Sequence, residues 1–208
     1  MRLVGDHSVR TEVRAGDTWA GDTATKNRAE LRHDANLPFD TDLWISFGLR
    51  VSGALGKDWL VVGQFHDEHD DGEGYKYPPL AFEYNGTHFT VVTRSDPTPL
   101  STVEDTGGIV RFSEPGLRLD VWQQFVFRFR FARTGNGYLQ VWRDGAEIVP
   151  GAAIPMGFND VLGHYWKFGA YRKAETTPLV VDYSHMEIGT TDLSTRIANP
   201  LPIPAEFG

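Results

Sequence analysis

The sequence contains no cysteine. Disulfide bonds and thiol chemistry are therefore excluded, and a chain of 208 residues can bury a sizeable core without such cross-links. Long apolar runs are also missing, so we expect no membrane-spanning segment and no membrane partner. The first seven residues lack the apolar stretch of a signal peptide, and we expect any such signal to be absent from this sequence.

Positive charge is in short supply. The chain has 20 Lys and Arg against 28 Asp and Glu, which gives a formal net charge of −8. A general nucleic-acid binder needs a broad cationic surface to neutralise phosphates, so we expect no nucleic-acid partner. An acidic ligand remains compatible with this charge if the cations are gathered in one place.

Helix-forming runs are scarce, whereas aromatic residues, glycine and proline are abundant. Apolar and other residues alternate in Leu43–Ser52 and again in Phe125–Ala132, as strands with one buried face require. Asn85-Gly86 separates the strand-like runs Pro79–Tyr84 and Thr87–Thr93, and this dipeptide is the strongest short signal for a hairpin. The pattern predicts an all-β protein.

Ten or more short strands without a separating linker predict a single domain over residues 1–208, built as a two-sheet β-jelly-roll sandwich. The meander that begins at Phe125 includes a predicted turn at Gly135–Gly137. Residues 94–120 and 150–163 are predicted to be connections, and alternate prolines predict an extended tail over residues 190–208.

Three stretches combine a polar face with an apolar face. Read with a period of two, YWKFGAYR at Tyr165–Arg172 places Tyr165, Lys167 and Tyr171 opposite Trp166. RAELR at Arg28–Arg32 and QFH at Gln64–His66 show the same division. We expect the three polar faces to line one concave groove.

These three segments, in this order, resemble the signature segments of the β-jelly-roll polysaccharide lyases. Alginate lyases of polysaccharide lyase family seven carry RxEL, Q-hydrophobic-H and YxKxGxY segments, and the version here is closer to the heparin lyase I and glucuronan lyase types. The resemblance implies a concanavalin A-like sandwich that cleaves a uronate-containing, acidic polysaccharide. It also implies a secreted or periplasmic enzyme, or one associated with a phage, and we expect a monomer.

The chemistry of such a lyase asks for these residue types. Cleavage of a 4-linked uronate removes the proton at C5 and expels the oxygen at C4, so the neighbouring carboxylate must be neutralised and a base and an acid supplied. His66 can accept a proton near neutral pH. Tyr171 is expected to be the acid, with His66 as base, where the C5 proton and O4 lie on opposite faces of the sugar. Where they share a face, Tyr171 alone can serve as both.

The predicted site thus has two groups of residues. The catalytic residues are Tyr171, His66, Arg28 and Gln64, with Arg28 and Gln64 at the carboxylate and Lys167 adjusting the ionisation of Tyr171. The substrate-binding residues are Lys167, Arg32, Tyr165 and Arg172. Glu30 is expected to orient an arginine. The mechanism requires no cofactor, and no metal ligand is assigned.

The polar loop Asp67–Tyr77 leaves two alternatives open. Glu68–Glu73 fits the ExDxxE spacing of the laminarinase-like glycoside hydrolases, although its polar spacers do not suit a strand with one buried face. The same loop could bind Ca²⁺, or it could act as a surface lid. A third alternative is a carbohydrate-binding or lectin-like module with the same sandwich and no catalysis.

Overall fold

The computed structural model describes residues 2–3, 7–134 and 136–203, and it is almost entirely β-structure. The strands are β1 Arg2–Leu3, β2 Ser8–Val13, β3 Lys26–Arg32, β4 Leu43–Gly53, β5 Leu60–His66, β6 Leu80–Tyr84, β7 His88–Thr93, β8 Ser95–Asp96, β9 Ile109–Pro115, β10 Gln123–Arg130, β11 Gly137–Arg143, β12 Ala146–Ile154, β13 Gly157–Phe158, β14 Tyr165–Lys173 and β15 Leu179–Gly189. The prediction of an all-β protein is confirmed.

The strands form two antiparallel sheets. The back sheet has the order β1-β2-β15-β4-β10-β11-β12, and the front sheet has the order β3-β14-β5-β6-β7-β9. The short strands β8 and β13 form a separate parallel pair. The late strands β14 and β15 lie between the early strands β3 and β5 and the early strands β2 and β4, respectively, as in a jelly roll, so the predicted sandwich is also confirmed.

Aromatic side chains fill the space between the sheets. Phe47 and Phe127 from the back sheet contact Phe82 from the front sheet, and Phe47 also contacts Trp166, with ring centroids 4.5–6.4 Å apart. Each belongs to an alternating strand whose apolar residues point inward. Burying a side chain of this size contributes roughly 1.5–3 kcal/mol, so these rings account for much of the attraction between the sheets.

The predicted hairpin forms between β6 and β7, where Gly86 has a φ of +95°. The meander β10-β11-β12 also forms, although Gly135 of its first turn lies outside the described residues. The connection predicted over residues 150–163 is wrong in part, because β12 continues to Ile154 and Gly157–Phe158 is β13. The connection predicted over residues 94–120 is also wrong in part, because it contains the short strand β8 and because Ile109–Pro115 is the edge strand β9. Its Ile109 and Val110 are exposed, so β9 lacks the inward alternation that identifies a strand.

The prediction of an extended tail over residues 190–208 is also wrong in part, because Thr195–Ala198 forms a short helix, α1. Residues 204–208 of this tail lie outside the described residues. Leu193 and Ile197 pack against Trp44 and Val126 on the outer face of the back sheet. These apolar contacts hold the tail against the back sheet at a point that precedes its first proline, Pro200. The four-residue α1 is far too short to cross a membrane, and no other helix occurs in residues 2–3, 7–134 and 136–203.

Candidate active site

The three polar stretches of the sequence are adjacent strands of the front sheet. Strand β14 lies between β3 and β5, and Lys167 pairs with Arg32 on one side and with Gln64 on the other. Trp166 and Ala170 of the same strand belong to the core, so their neighbours point outward. We call this outward surface of the front sheet the front face. It is the common surface that the sequence predicted for these strands.

Tyr165 pairs directly with His66 across the β14–β5 ladder. Their ring centroids are 5.9 Å apart and the ring planes differ by 20°. The guanidinium carbon of Arg32 lies 3.7 Å from the centre of the Tyr165 ring. Burial raises the pKa of Tyr165 to about 12 even though Arg32 acts in the opposite direction. The phenol is therefore protonated at neutral pH.

The surroundings of His66 fix which of its nitrogens carries the proton. Nδ1 lies 2.8 Å from a carboxylate oxygen of Asp67 and 3.3 Å from the Asp67 carbonyl oxygen. The carbonyl oxygen can only accept a hydrogen bond, and the carboxylate oxygen carries negative charge, so the geometry assigns the proton of the neutral imidazole to Nδ1. Nε2 is then left with its lone pair, as a general base requires.

Glu30 holds three polar side chains of the front face in place. Its carboxylate lies 2.5 Å from Arg28 Nη1 and 2.9 Å from Lys167 Nζ, and it accepts a hydrogen bond of 2.7 Å from Gln64 Nε2. The Glu30 side chain is 2% exposed. Burial lowers the pKa of Lys167, and Glu30 opposes that shift. Glu30 is thus the structural partner that the sequence suggested, and it orients more than one cation.

Tyr171 is not the cross-strand partner of His66, because it pairs with Val61 in the β14–β5 ladder. It is six residues beyond Tyr165 on the same strand, a distance of roughly 20 Å at the rise of an extended strand. Arg28, which pairs with Tyr171, stacks on its ring at 3.6 Å. Lys26, rather than Lys167, is the ammonium group near this phenol, 5.7 Å from the ring centre. Arg28 contacts the same Glu30 carboxylate as Gln64 and Lys167. Its predicted role at the uronate carboxylate stays a prediction.

The prediction that Arg172 binds substrate is also wrong. Arg172 is the residue after Tyr171, so strand alternation turns it away from the front face, and it is 3% exposed. Its Nη2 donates a hydrogen bond of 2.5 Å to the Thr177 carbonyl. The guanidinium therefore stabilises the turn between β14 and β15.

Gly169 produces an irregularity in β14 that separates the two tyrosines. Its φ is +131°, and a Cβ atom at this position would lie 2.2 Å from the Ala29 carbonyl oxygen. The β14–β5 register shifts between Phe168 and Tyr171, next to this glycine. Glycine is required here by both its backbone conformation and the closeness of β3.

The loop after β5 is held by buried charges, although we expected a polar loop without internal packing. Lys76 Nζ lies 2.7 Å from Glu73, 2.9 Å from Asp160 and 3.7 Å from Asp67. One oxygen from each of these carboxylates lies within 4.8 Å of the other two, a spacing that could suit a metal ion. In this chain the ammonium group of Lys76 lies between the three carboxylates, at the place where a metal ion would bind. The sequence did not predict this cluster, because charged residues in a polar loop are usually exposed to solvent.

The laminarinase-like alternative fails on the same segment. Glu68–Glu73 forms no strand, so its carboxylates do not share one face. Glu73 instead binds Lys76, and Glu68 pairs with Arg32. Glu68 and Glu73 are therefore not placed as the catalytic acid and the nucleophile of a glycoside hydrolase.

Comparison with known families decides the class of the protein. A family model described as "Polysaccharide lyase" matches residues 1–191. The chain belongs to this polysaccharide lyase family. The lyase is therefore an enzyme, as predicted, and the alternative of a binding module without catalysis is wrong. No curated protein sequence matches the lyase closely enough to name a relative.

Solved structures agree with the fold of the lyase. The endo-β-1,4-glucuronan lyase of the fungus Trichoderma reesei superposes with a TM-score of 0.68 at 15% identity, covering 91% of this chain and 83% of the fungal one. Alginate lyase A1-II', of polysaccharide lyase family 7, gives 0.60 at 15% identity, with 89% and 81% covered. Alginate lyase AlyC3, solved with dimannuronate, gives 0.60 at 12% identity, with 88% and 74% covered.

Proposed function

We propose that the lyase cleaves a 4-linked uronate polysaccharide by β-elimination, with His66 as the base and Tyr165 as the acid. The observation that carries this proposal is the direct pairing of the two side chains on the front face. One offers a free imidazole nitrogen, and the other a phenol whose pKa of about 12 keeps it protonated. Tyr165 thereby takes the role that the sequence had suggested for Tyr171.

In the reaction, Nε2 of His66 takes the proton from C5 of the uronate. The electron pair of the broken C–H bond forms the C4–C5 double bond, and the C4–O4 bond breaks. The Tyr165 phenol donates its proton to the departing O4. The phenolate and imidazolium that result are neighbours, so a proton can return from His66 to Tyr165, directly or through water, before the next cycle.

The C5 proton is acidic enough only if the adjacent carboxylate is neutralised. Arg32 stacks on Tyr165, and Arg32, Lys167 and Gln64 form the next row of paired residues across β3, β14 and β5. We assign Arg32 and Lys167 to the uronate carboxylate and the enolate-like charge that develops on it. Preorganised donors of this kind contribute roughly 3 kcal/mol each to transition-state stabilisation. Gln64 is 2% exposed and donates to Glu30, so it helps to hold the Glu30 carboxylate in place. Arg28 also contacts Glu30.

The side-by-side arrangement of His66 and Tyr165 favours one stereochemistry. A separate base and acid were expected to act on opposite faces of the sugar. The His66 and Tyr165 rings, however, are near-parallel and 5.9 Å apart, too close to admit a sugar ring between them, so both reach one face of a bound sugar. In glucuronate and mannuronate the C5 proton and O4 share a face, whereas in guluronate and iduronate they do not. We therefore infer a glucuronate or mannuronate polymer as substrate.

Tyr171 and Lys26 supply a second position on the front face, roughly 20 Å from the cleavage site by strand geometry. Trp59 packs edge-on against Tyr171, with ring centroids 4.8 Å apart. An ammonium group next to half-buried aromatic rings suits an acidic sugar. We propose that this position binds part of the polymer that is not being cleaved.

The test is a panel of polymers containing glucuronan, polymannuronate, polyguluronate, heparin and hyaluronan. Elimination creates an unsaturated uronate that absorbs ultraviolet light, and each cleavage also creates a reducing end. We expect both signals together on glucuronan or polymannuronate. Reducing ends without absorbance would contradict elimination, and activity confined to polyguluronate would contradict the inferred stereochemistry.

A further inference from the structure

A buried carboxylate lies directly behind the proposed base. Asp67 follows His66, the last residue of β5, and its side chain is fully buried. One of its carboxylate oxygens lies 2.8 Å from His66 Nδ1. The other lies 3.0 Å from His69 Nδ1. Each oxygen therefore contacts one imidazole.

The position of Asp67 is fixed by the cluster around Lys76. Lys76 lies 3.7 Å from the same oxygen that contacts His69, and Glu73 and Asp160 bind the ammonium more closely. Glu73 also accepts backbone hydrogen bonds from Ser101 and Asp70. The cluster thus ties three loops together beneath His66. A carboxylate held in this way has little freedom to follow a moving imidazole.

The charges of the cluster keep Asp67 ionised. Burial alone would raise the pKa of Asp67, but the contacts with His66, His69 and Lys76 outweigh burial and lower it. A buried carboxylate is costly unless it is paired, and Lys76 is the permanent cation among these partners. The negative charge behind His66 is therefore present throughout the neutral pH range.

We propose that Asp67 is a positioning residue for catalysis, and that Lys76 holds it in place. Asp67 orients the imidazole so that Nδ1 carries the proton and Nε2 faces the substrate. When Nε2 takes the C5 proton, the imidazolium forms 2.8 Å from a fixed negative charge and is stabilised by it. This inference rests on the proposed role of His66 as base.

The kinetic test compares Asp67→Asn with Asp71→Asn. Both remove one negative charge from the same loop, but Asp71 is exposed and lies outside the cluster. We expect Asp67→Asn to lower kcat by about 10- to 100-fold, as when a functional histidine loses its carboxylate partner, with KM changed by less than about threefold. Asp71→Asn should leave both constants unchanged. A kcat for Asp67→Asn within threefold of the parent enzyme would overturn the proposal.

A second measurement needs neither substrate nor a substitution at Asp67. Nitrogen-15 NMR distinguishes the two imidazole tautomers, and the His66 signals are identified by their loss in His66→Ala. We expect neutral His66 to carry its proton on Nδ1. A proton on Nε2 would overturn the positioning role even in an active enzyme. If the tautomer is as expected but His66→Ala remains fully active, the positioning stands and the assignment of His66 as base fails.

Discussion

Glu30 and Lys167 form an ion pair of 2.9 Å on the front face, and the Glu30 side chain is almost inaccessible to water. The same carboxylate also binds Arg28 and Gln64. Lys167 has no other carboxylate within ion-pair distance among the described residues. Removing the charge of Glu30 therefore leaves a largely buried ammonium without its counter-ion.

We expect Glu30→Gln to lower the free energy of unfolding by about 3 kcal/mol, because breaking one side of a buried pair leaves the other charge desolvated. Urea unfolding measures this loss. Glu12→Gln is the matched control, since Glu12 forms an exposed pair with Arg14 and should show no measurable change. Equal stability of the two variants would contradict the role of Glu30 as the central partner.

Gly169→Ala should destabilise the lyase more than Gly107→Ala does. Both glycines have positive φ, but a Cβ at Gly169 would meet the Ala29 carbonyl at 2.2 Å, whereas a Cβ at Gly107 would meet no atom within 4 Å. Gly107→Ala thus carries only the left-handed backbone penalty, about 1–2 kcal/mol. The difference between the two free energies of unfolding measures the β3–β14 contact. Equal free energies of unfolding in the two variants would mean that β3 and β14 can move apart with little loss of stability.

Much of the fold follows from local sequence signals, because alternation and turn residues act over short distances. The Phe-rich strand β10 and the Asn85-Gly86 hairpin are examples, and both form as predicted. The order of strands in each sheet has no such local signal. The sequence therefore predicted a two-sheet sandwich without the order of its strands.

The sequence predicted which residues lie on the front face but not which of them contact one another. Alternation correctly placed His66, Tyr165 and Tyr171 on one face. It did not show which tyrosine faces His66, because the register between β14 and β5 depends on pairing over about 100 residues of sequence. The buried partners Asp67 and Lys76 were missed, since charged loop residues are usually exposed.

Lys76→Ala should convert the buried cluster into a calcium site. Without the ammonium, three carboxylates with oxygens within 4.8 Å of one another remain unpaired, and Ca²⁺ prefers such oxygen ligands. We expect the variant to have a lower Tm than the parent enzyme, and calcium chloride to raise the Tm of the variant alone. A variant Tm that does not respond to calcium would show that the lysine is not acting as a tethered cation.

Asp160 should make stability depend on pH. Burial raises the pKa of this carboxyl to about 7 in spite of Lys76, and Asp67 and Glu73 add to the effect. The folded state then binds a proton that the unfolded chain releases at lower pH, so this group's contribution to stability falls as pH rises from about 4 to about 7. Asp160→Asn removes the titration.

The difference obtained by subtracting the Tm of the parent enzyme from that of Asp160→Asn should therefore increase from about pH 4 to about pH 7 and stay constant at higher pH. Thermal unfolding at a series of pH values measures the difference. Asp70→Asn serves as the control, because Asp70 lies in the same region and binds the Val161 amide without contacting Lys76. A difference in Tm that stays constant with pH would contradict the raised pKa of Asp160.

The comparison of Tyr165→Phe with Tyr171→Phe tests the central claim most directly. Each substitution removes one phenolic hydroxyl from the same strand, and ultraviolet absorbance of the unsaturated product measures the rate on the best polymer of the panel. We predict that Tyr165→Phe lowers kcat by about 10²- to 10⁴-fold, as expected for loss of a general acid, while Tyr171→Phe acts mainly on KM. A near-normal kcat in Tyr165→Phe, together with an inactive Tyr171→Phe, would contradict the pairing of Tyr165 with His66 as the catalytic centre.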